Sequence, residues 1–510
     1  MRKYLLLLGL LIQVSALCQH RNDNWVFGDS AGINFTNPQN LITFKSGTKS
    51  RGTSATISDN LGNLLFYFSY DAKSIMGQGP PDFNGNVYDK NNLIMQNGDS
   101  IVCQVWYMEG IIIPDPSDSM KYFLFTIGTT GAFGLYYDVV DLNLNNGLGA
   151  VTQKNIQLLP DAANDGLTAV KHGNGRDWWL IHRRYGGGPN NLFYKYLITP
   201  SGISGPFTQN IGTITNTNTL IYTFNNEGNK IACVQWDGLC ETFDFDRCTG
   251  MLSNHTFLHA NAIPFAPKAE FFGLEFSLNG KYLYLSTAGC AHQTELIQID
   301  LAKPNPFASA DTISKFSIFN CGGGYLRRAP DNKIYWSRAW VDSIGSYNYP
   351  YPNTPDAFNI YNMNLSVINS PDSAGVKCDF TPYSFYLGGA RTYWGLPNNP
   401  NYDMGPDTGS VCDSLGLFLT PALSKGEGVM QITYISAWEK LFVNASGLKG
   451  KNVTVSIYDG RGSLKFEVIS LKSNAGYFTL DVDCSGWSDG LYVVQLQTDK
   501  ERLSKKFVKE

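Results

Sequence analysis

Histidine is scarce in this sequence, with six in 510 residues, and charged residues make up only 16%. The formal charge is −4, so no basic field invites nucleic acid. No two cysteines stand in a Cys-x-x-Cys spacing, which removes the usual frame of a structural zinc site. No long helical period is visible, and beyond the first residues no segment is apolar enough to span a membrane. Aromatic residues, in contrast, reach 13%, which suits a β-rich protein with broad apolar sheet faces.

The chain begins "MRKYLLLLGLLIQVSALCQH": two basic residues, a short apolar run, then small residues. This is an export signal, read as residues 1–18 with Gln19 the first mature residue. Acylation of Cys18 is the alternative, although Leu17 is a poor fit to it. Setting Cys18 aside, nine of the ten cysteines enter an oxidising compartment, so at least one thiol stays unpaired. Cys233, Cys240 and Cys248 fall close together, and Cys290 and Cys321 flank the next connection.

Six hairpin corners recur. "FSLNGKYLYLS" is one; "ISDNLGNLLFYFS", "IIPDPSDSMKYFLFT", "AVKHGNGRDWWLIHR", "YTFNNEGNKIACVQW" and "LRRAPDNKIYWSRA" are the others. Each sets Asp, Asn, Gly or Pro at a turn and follows it with an aromatic and aliphatic strand. Those strands are expected to start near Asn63, Lys121, Asp177, Lys230, Lys281 and Lys333, in steps of roughly 50 to 60 residues, the length of a propeller blade. A lone four-stranded sheet cannot cover both faces, but a ring of them can. The expected fold is all-β: a β-propeller over residues 19–398, with seven blades and six as the alternative. Residues 391–396 are expected to supply the inner strand of a shared blade whose remainder is 25–44.

From Pro397 the texture turns polar, which predicts a linker at 399–425. Seven short alternating strands then predict a small Ig-like β-sandwich over 426–510. This tail resembles the C-terminal sorting domain of proteins exported by the type IX secretion system. The residues that carry the resemblance are "VSIYDGRG", "LDVDCSGWSDGLYVVQLQ" and "KKFVK". One departure is that "ITYISAWEKLFVN" lacks the Pro-Asn-Pro usual before the first long strand. The resemblance implies that Tyr458, Asp459, Gly460, Gly490, Leu491, Tyr492, Lys505, Lys506, Phe507, Val508 and Lys509 make up the sorting signal. It also implies a type IX translocon as partner, passage through the periplasm, and residence outside the outer membrane. Tail removal and a surface lipopolysaccharide anchor belong to the same implication. The propeller, through "NWVFGDSAGINF", "LRRAPDNKIYW" and "GLPN", is similar to a domain that often precedes such tails.

Motifs with catalytic overtones have plainer readings. "GDSAG" matches Gly-x-Ser-x-Gly, but a strand rather than a helix follows Ser30, and almost no chain precedes it, so a hairpin turn is expected. "DTGS" at Asp407 stands alone, where an aspartic protease needs two copies. A sialidase-like site would need arginines drawn together from Arg183, Arg184, Arg327, Arg328, Arg338 and Arg391. "RRYGGGPNN" and "CGGGYLRR" lack a P-loop Lys and read as flexible connections. Trp178, Trp179, Trp336 and Trp340 are expected mainly to fill the space between blades, with a binding surface as their other use. No catalytic residue, metal ligand or cofactor is assigned. The sequence therefore reads as an exported binding or scaffold protein with an unknown glycan or protein ligand. The alternative is an exported hydrolase, for glycans or peptides, with carboxylates and arginines converging at the propeller's mouth.

Overall fold

All six corners join the first strand of a sheet to its second. The computed structural model describes residues 20–70, 83–103, 107–129, 133–186, 190–214, 217, 219–259, 270–288, 294–317, 321–340, 357–410, 412–413, 429–435, 439–446, 448, 452–472, 478–500 and 502–509. The second strands begin at Leu64, Lys121, Trp178, Lys230, Tyr282 and Ile334, at or one residue after the expected positions. Five of the six corners share one device, the exception being the corner at Asp115–Lys121, where no residue has a positive φ. Asp59 Oδ1 accepts the N–H groups of Leu61 and Asn63 at 2.8 and 2.9 Å while Gly62 takes a φ of 82°. Asn225 Oδ1 accepts Lys230 N–H at 3.0 Å with Gly228 at a φ of 72°. Side-chain oxygens that mimic the backbone, next to a residue that tolerates the left-handed region, make a tight turn the favoured local state.

The N-terminal unit is a ring of seven consecutive antiparallel sheets, a β-propeller. Sheet 1 is Asn24–Phe27, Asp29–Asn34 and Ile42–Lys49; sheet 2 is Ser54–Ser58, Leu64–Tyr70 and Gly85–Asp89. Sheets 3 to 7 are four-stranded meanders spanning 110–159, 163–210, 220–259, 271–316 and 321–386. The first strands of successive sheets lie against one another, and Trp25 and Phe35 close the circle on Tyr335 at 5.9 and 5.7 Å. Trp178, Trp179 and Trp336 are buried; Trp179 donates its indole N–H to Arg247 O of sheet 5 at 2.8 Å, Trp336 lies 5.7 Å from Phe316 of sheet 6, and Trp178 meets Tyr402 at 6.0 Å. Trp340 is half-buried and stacks on Tyr361 at 4.9 Å.

Closure differs from the expectation. Residues 391–396 form no inner strand; Arg391 alone bridges to Asp29. The inner place of sheet 1 is already taken by Asn24–Phe27, buried along its whole length. The returning chain instead threads between sheets 7 and 2. Tyr325 N–H donates to Trp394 O at 2.8 Å, Trp394 N–H to Arg51 O at 3.1 Å, and Asn398 N–H to Ser54 O at 2.8 Å. "CGGGYLRR" is likewise not a loop but the inner strand Cys321–Arg328. A Cβ on Gly322 or Gly324 would collide with the ring or the carbonyl of Trp394, so the glycines are there for close approach.

The C-terminal unit packs a three-stranded sheet (Val429–Ile435, Lys440–Ser446, Phe478–Asp483) on a four-stranded one. The second runs Leu464–Lys472, Asn452–Asp459, Gly490–Gln497, Arg502–Lys509 in spatial order. All seven strands coincide with the expected ones, and their inward residues, such as Leu441, Val455, Ile457 and Val494, form a separate core. The expected signal peptide, Cys290, Gly187 to Pro189 and residues 414–428 lie outside the described residues.

Candidate functional site

The ring centre draws one side chain from nearly every sheet. At the starting ends of the inner strands, Tyr107 packs edge-on against Phe272 at 4.5 Å. Phe272 in turn meets Trp394 at 4.9 Å, Trp236 at 5.5 Å and Tyr325 at 5.7 Å. The Arg51 guanidinium lies 5.6 Å over Tyr107. These rings pack on one another away from solvent: Phe272 is fully buried, and Tyr325 and Trp394 are 1% exposed.

Two buried carboxyls sit in this cluster. Glu109 accepts Cys103 Sγ and Thr129 Oγ1, each at 3.4 Å. Asp165 Oδ1 accepts Leu220 N–H at 2.9 Å, and its Oδ2 has no hydrogen-bond partner among the described residues. Both amide atoms of the neighbouring Asn164 and the hydroxyl of Tyr325 are in the same position. Burial pushes the Asp165 carboxyl up to about 8. It is therefore a neutral acid at pH 7, able to donate a hydrogen bond to anything that enters the ring centre.

The sign of the resulting pH dependence follows from that shift. Asp165 is protonated in the native state and ionised in the unfolded state between about pH 4 and 8, so its contribution is full at low pH and is lost as pH rises. We expect Asp165→Asn, which mimics the protonated form, to match the parent near pH 4. It should be more stable than the parent by ~2 to 5 kcal/mol at pH 8. Urea unfolding at both pH values reads the difference. A variant less stable than the parent at pH 8 would show that the carboxyl is ionised there.

The six arginines do not converge. Arg183 pairs with Glu241 at 2.7 Å between sheets 4 and 5. Arg338 donates to Gly322 O and lies 4.5 Å over Phe316 and 4.6 Å over Trp336. Arg391 pairs with Asp29 at 2.9 Å, and Arg328 donates to Asn226 Oδ1 at 3.1 Å. Arg184 is half-buried at the end of its strand. Arg327 donates to Asn398 Oδ1 at 2.9 Å. Ser30 lies in the expected hairpin turn, within the three residues that join Phe27 to Ala31, at a bulge against Ile42–Lys49 with a φ of 62°; among the described residues its hydroxyl donates to Asp29 Oδ1 at 3.4 Å. Among the described residues no cluster of three His, Cys, Asp or Glu could hold a metal.

Sequence reasoning missed the segment that closes the other end of the ring. Asn398 Nδ2 donates to Gly110 O at 3.1 Å and to Leu167 O at 2.8 Å, so with its backbone N–H on Ser54 O and its Oδ1 on Arg327 this one residue ties sheets 2, 3, 4 and 7. Residues 399–410 and Cys412, expected as the start of a linker, then cross the corners of sheets 3, 4 and 5. Tyr402 is 1% exposed and its hydroxyl donates to Ile112 O at 2.9 Å. Asp407 of "DTGS" donates its N–H to Gly173 O at 2.8 Å. A disulfide between Cys412 and Cys248 fastens the strap to sheet 5.

In the C-terminal unit the eleven resemblance-derived residues gather at one end of the four-stranded sheet. Asp459 Oδ1 accepts Arg461 and Ser463 N–H at 3.0 and 2.9 Å, closing a turn that contains Gly460. Tyr458 pairs with Val493, and Gly490 with Lys509. Tyr492 and Phe507 stack at 5.3 Å inside the sandwich. Leu491 and Val508 form a cross-strand pair on the outside, near exposed Lys505 and Lys506. Lys509 points inward: its Nζ donates to Glu439 Oε1, Cys484 O and Trp487 O at 2.8 to 3.0 Å. Charge and apolar surface are therefore not segregated by face on the last strand.

Residues 437–510 match the secretion system C-terminal sorting domain family. No curated protein matches the chain. Among solved structures, the periplasmic gluconolactonase of Pseudomonas aeruginosa shares 11% identity at a TM-score of 0.43, over 73% of this chain and 98% of its own. A provisionally named 6-phosphogluconolactonase from Bacteroides fragilis shares 11% at 0.43, over 74% and 97%. The β-propeller domain of Cps50 from Myceliophteria thermophila shares 9% at 0.33, over 62% and 93%.

Proposed function

We propose that this chain, whose C-terminal unit is a type IX secretion-system sorting domain, is an exported binding or scaffold protein that works outside the outer membrane. The sorting domain is the observation that carries this reading. It has a core of its own, separate from that of the ring, as a detachable address needs. Among the described residues no helix is long and apolar enough to cross a membrane, so surface retention would rest on an attached group such as lipopolysaccharide. The propeller is the cargo. Buried aromatic rings pack at its centre and the strap crosses the corners of sheets 3 to 5, which favours the rim and the grooves between sheets for recognition.

A hydrolase is the second reading, and one observation favours it: a neutral Asp165 near Tyr325, in the buried cluster where Glu109 also acts on Tyr325 and Arg51 lies over Tyr107. A glycan and protein array probed with the chain lacking its signal separates the two. Retention of a subset of ligands without turnover is the expected result. Turnover abolished by Asp165→Asn would replace the binding reading with the hydrolase.

A further inference from the structure

A groove of about 500 Å³ lies between sheets 1 and 2, beside the corner at Asp59. Ile42, Phe44 and Leu64 form its walls, and Asn34, Lys90 and Asn92 its main polar lining. That volume and that mix are typical of small-molecule sites. Ile42 is 57% exposed although it belongs to a strand. Phe44 is laid flat by a glycine: a Cβ on Gly32 would sit 2.5 to 2.7 Å from three of its ring carbons, so the ring rests face-on against bare backbone. A flat ring beside two aliphatic side chains is a platform for the C–H face of a sugar.

The hydrogen-bonding capacity left over is mostly donor. Asn34 spends one amide hydrogen on Asn24 Oδ1 at 2.9 Å, and its Oδ1 accepts Thr36 N–H at 3.0 Å. Asn92 spends one on Lys45 O at 3.3 Å, and its Oδ1 accepts the Tyr67 hydroxyl at 2.8 Å. One N–H remains on each amide. Lys90 is exposed and has no acidic partner among the described residues, and no carboxylate lines the groove. An ammonium and two amide N–H groups facing an apolar wall select an anion that carries an apolar face.

We propose that this groove binds a carboxylated sugar residue of an acidic glycan, its ring on Phe44, Ile42 and Leu64 and its carboxylate on Lys90. This deepens the binding reading above and rests on it, at a place away from the ring centre. The test is calorimetric titration of the signal-free full chain with oligogalacturonate, its methyl ester and an oligoglutamate peptide. Oligogalacturonate should bind, and the ester and the peptide should bind at least about tenfold more weakly. Lys90→Gln should lose about tenfold for oligogalacturonate, while Lys90→Arg keeps most of the affinity. Equal binding of the peptide would overturn the sugar, and undiminished binding by Lys90→Gln would overturn the site. A chain that retains array ligands but not oligogalacturonate sinks this proposal and leaves the binding reading intact; a chain that binds nothing sinks both.

Discussion

A chain cut after Gly490 should accumulate in the periplasm, and a passive reporter fused to residues 426–510 should reach the cell surface. Truncation alone is a blunt test, because it removes more than a signal. Strand Gly490–Gln497 is central in its sheet, pairing with Asn452–Asp459 on one side and Arg502–Lys509 on the other. Its loss also takes away Tyr492, Val494 and Leu496 from the core, and the remaining strands would expose apolar edges. The fusion shows whether the tail suffices, and point variants separate recognition from folding. Lys505 and Lys506 are exposed, so Lys505→Glu with Lys506→Glu should leave the unfolding midpoint of the fusion within a few degrees while most surface display is lost. Lys509→Met should do the reverse first. It strips a buried ammonium from two carbonyls and Glu439, and should lower stability before any effect on display can be judged. Normal display of the truncated chain, or of the reporter without the tail, would sink the export assignment.

Local chemistry explains which parts of this architecture could be read in advance. The corners were legible because Asp59, Asn225 and Gly280 act within a few residues: the oxygen that caps the turn and the residue with positive φ are neighbours in sequence. The seven tail strands were legible for the same reason, through period-two alternation. Ring closure was not. Whether residues 391–396 or Asn24–Phe27 hold the inner place is decided by packing of Asn24–Phe27 against Ser54–Ser58 and of Trp25 against Tyr335, the latter hundreds of residues away. The triple glycine of Cys321–Arg328 looked like slack because glycine marks both loops and close backbone approach. Only the Trp394 ring, far along the chain, tells them apart. The strap is the plainest case. Asn398, Asn399 and Asn401 have linker composition, yet their amides are consumed by backbone and side-chain groups of five sheets. Composition reports how polar a segment is and says nothing of where its partners lie. The ring-centre cluster was illegible for a related reason: Tyr107, Asp165, Phe272 and Tyr325 each look like ordinary strand residues until the ring brings them together.

Arg183→Met should be the most destabilising single change in the propeller, costing about 3 to 5 kcal/mol. The pair it breaks is fully buried: the Arg183 and Glu241 side chains are each 0% exposed, on strands of different sheets. Arg183 also donates to the carbonyls of Asn190 and Thr213, so it fastens the sheet 4 and sheet 5 connections as well as a charge. Burial pushes the Glu241 carboxyl up. The His255 hydrogen bond, the Arg183 charge and the Thr213 N–H at 2.6 Å outweigh it and leave the group below its ordinary value. In the parent, that lowered value makes the contribution of Glu241 present at neutral pH and lost only as acid protonates it. Without Arg183 the balance reverses. Burial dominates, the carboxyl rises above its unfolded value, and the variant should lose further stability as pH climbs from about 5 to 8. Arg183→Met with Glu241→Gln removes the orphaned charge and should recover a good part of the loss at pH 8 while changing little at pH 5. Urea unfolding of the three proteins at both pH values decides the matter. A single variant within about 1 kcal/mol of the parent, or a double variant no better than the single at pH 8, would show that the charge is hydrated and that sheets 4 and 5 are joined by their apolar contacts instead.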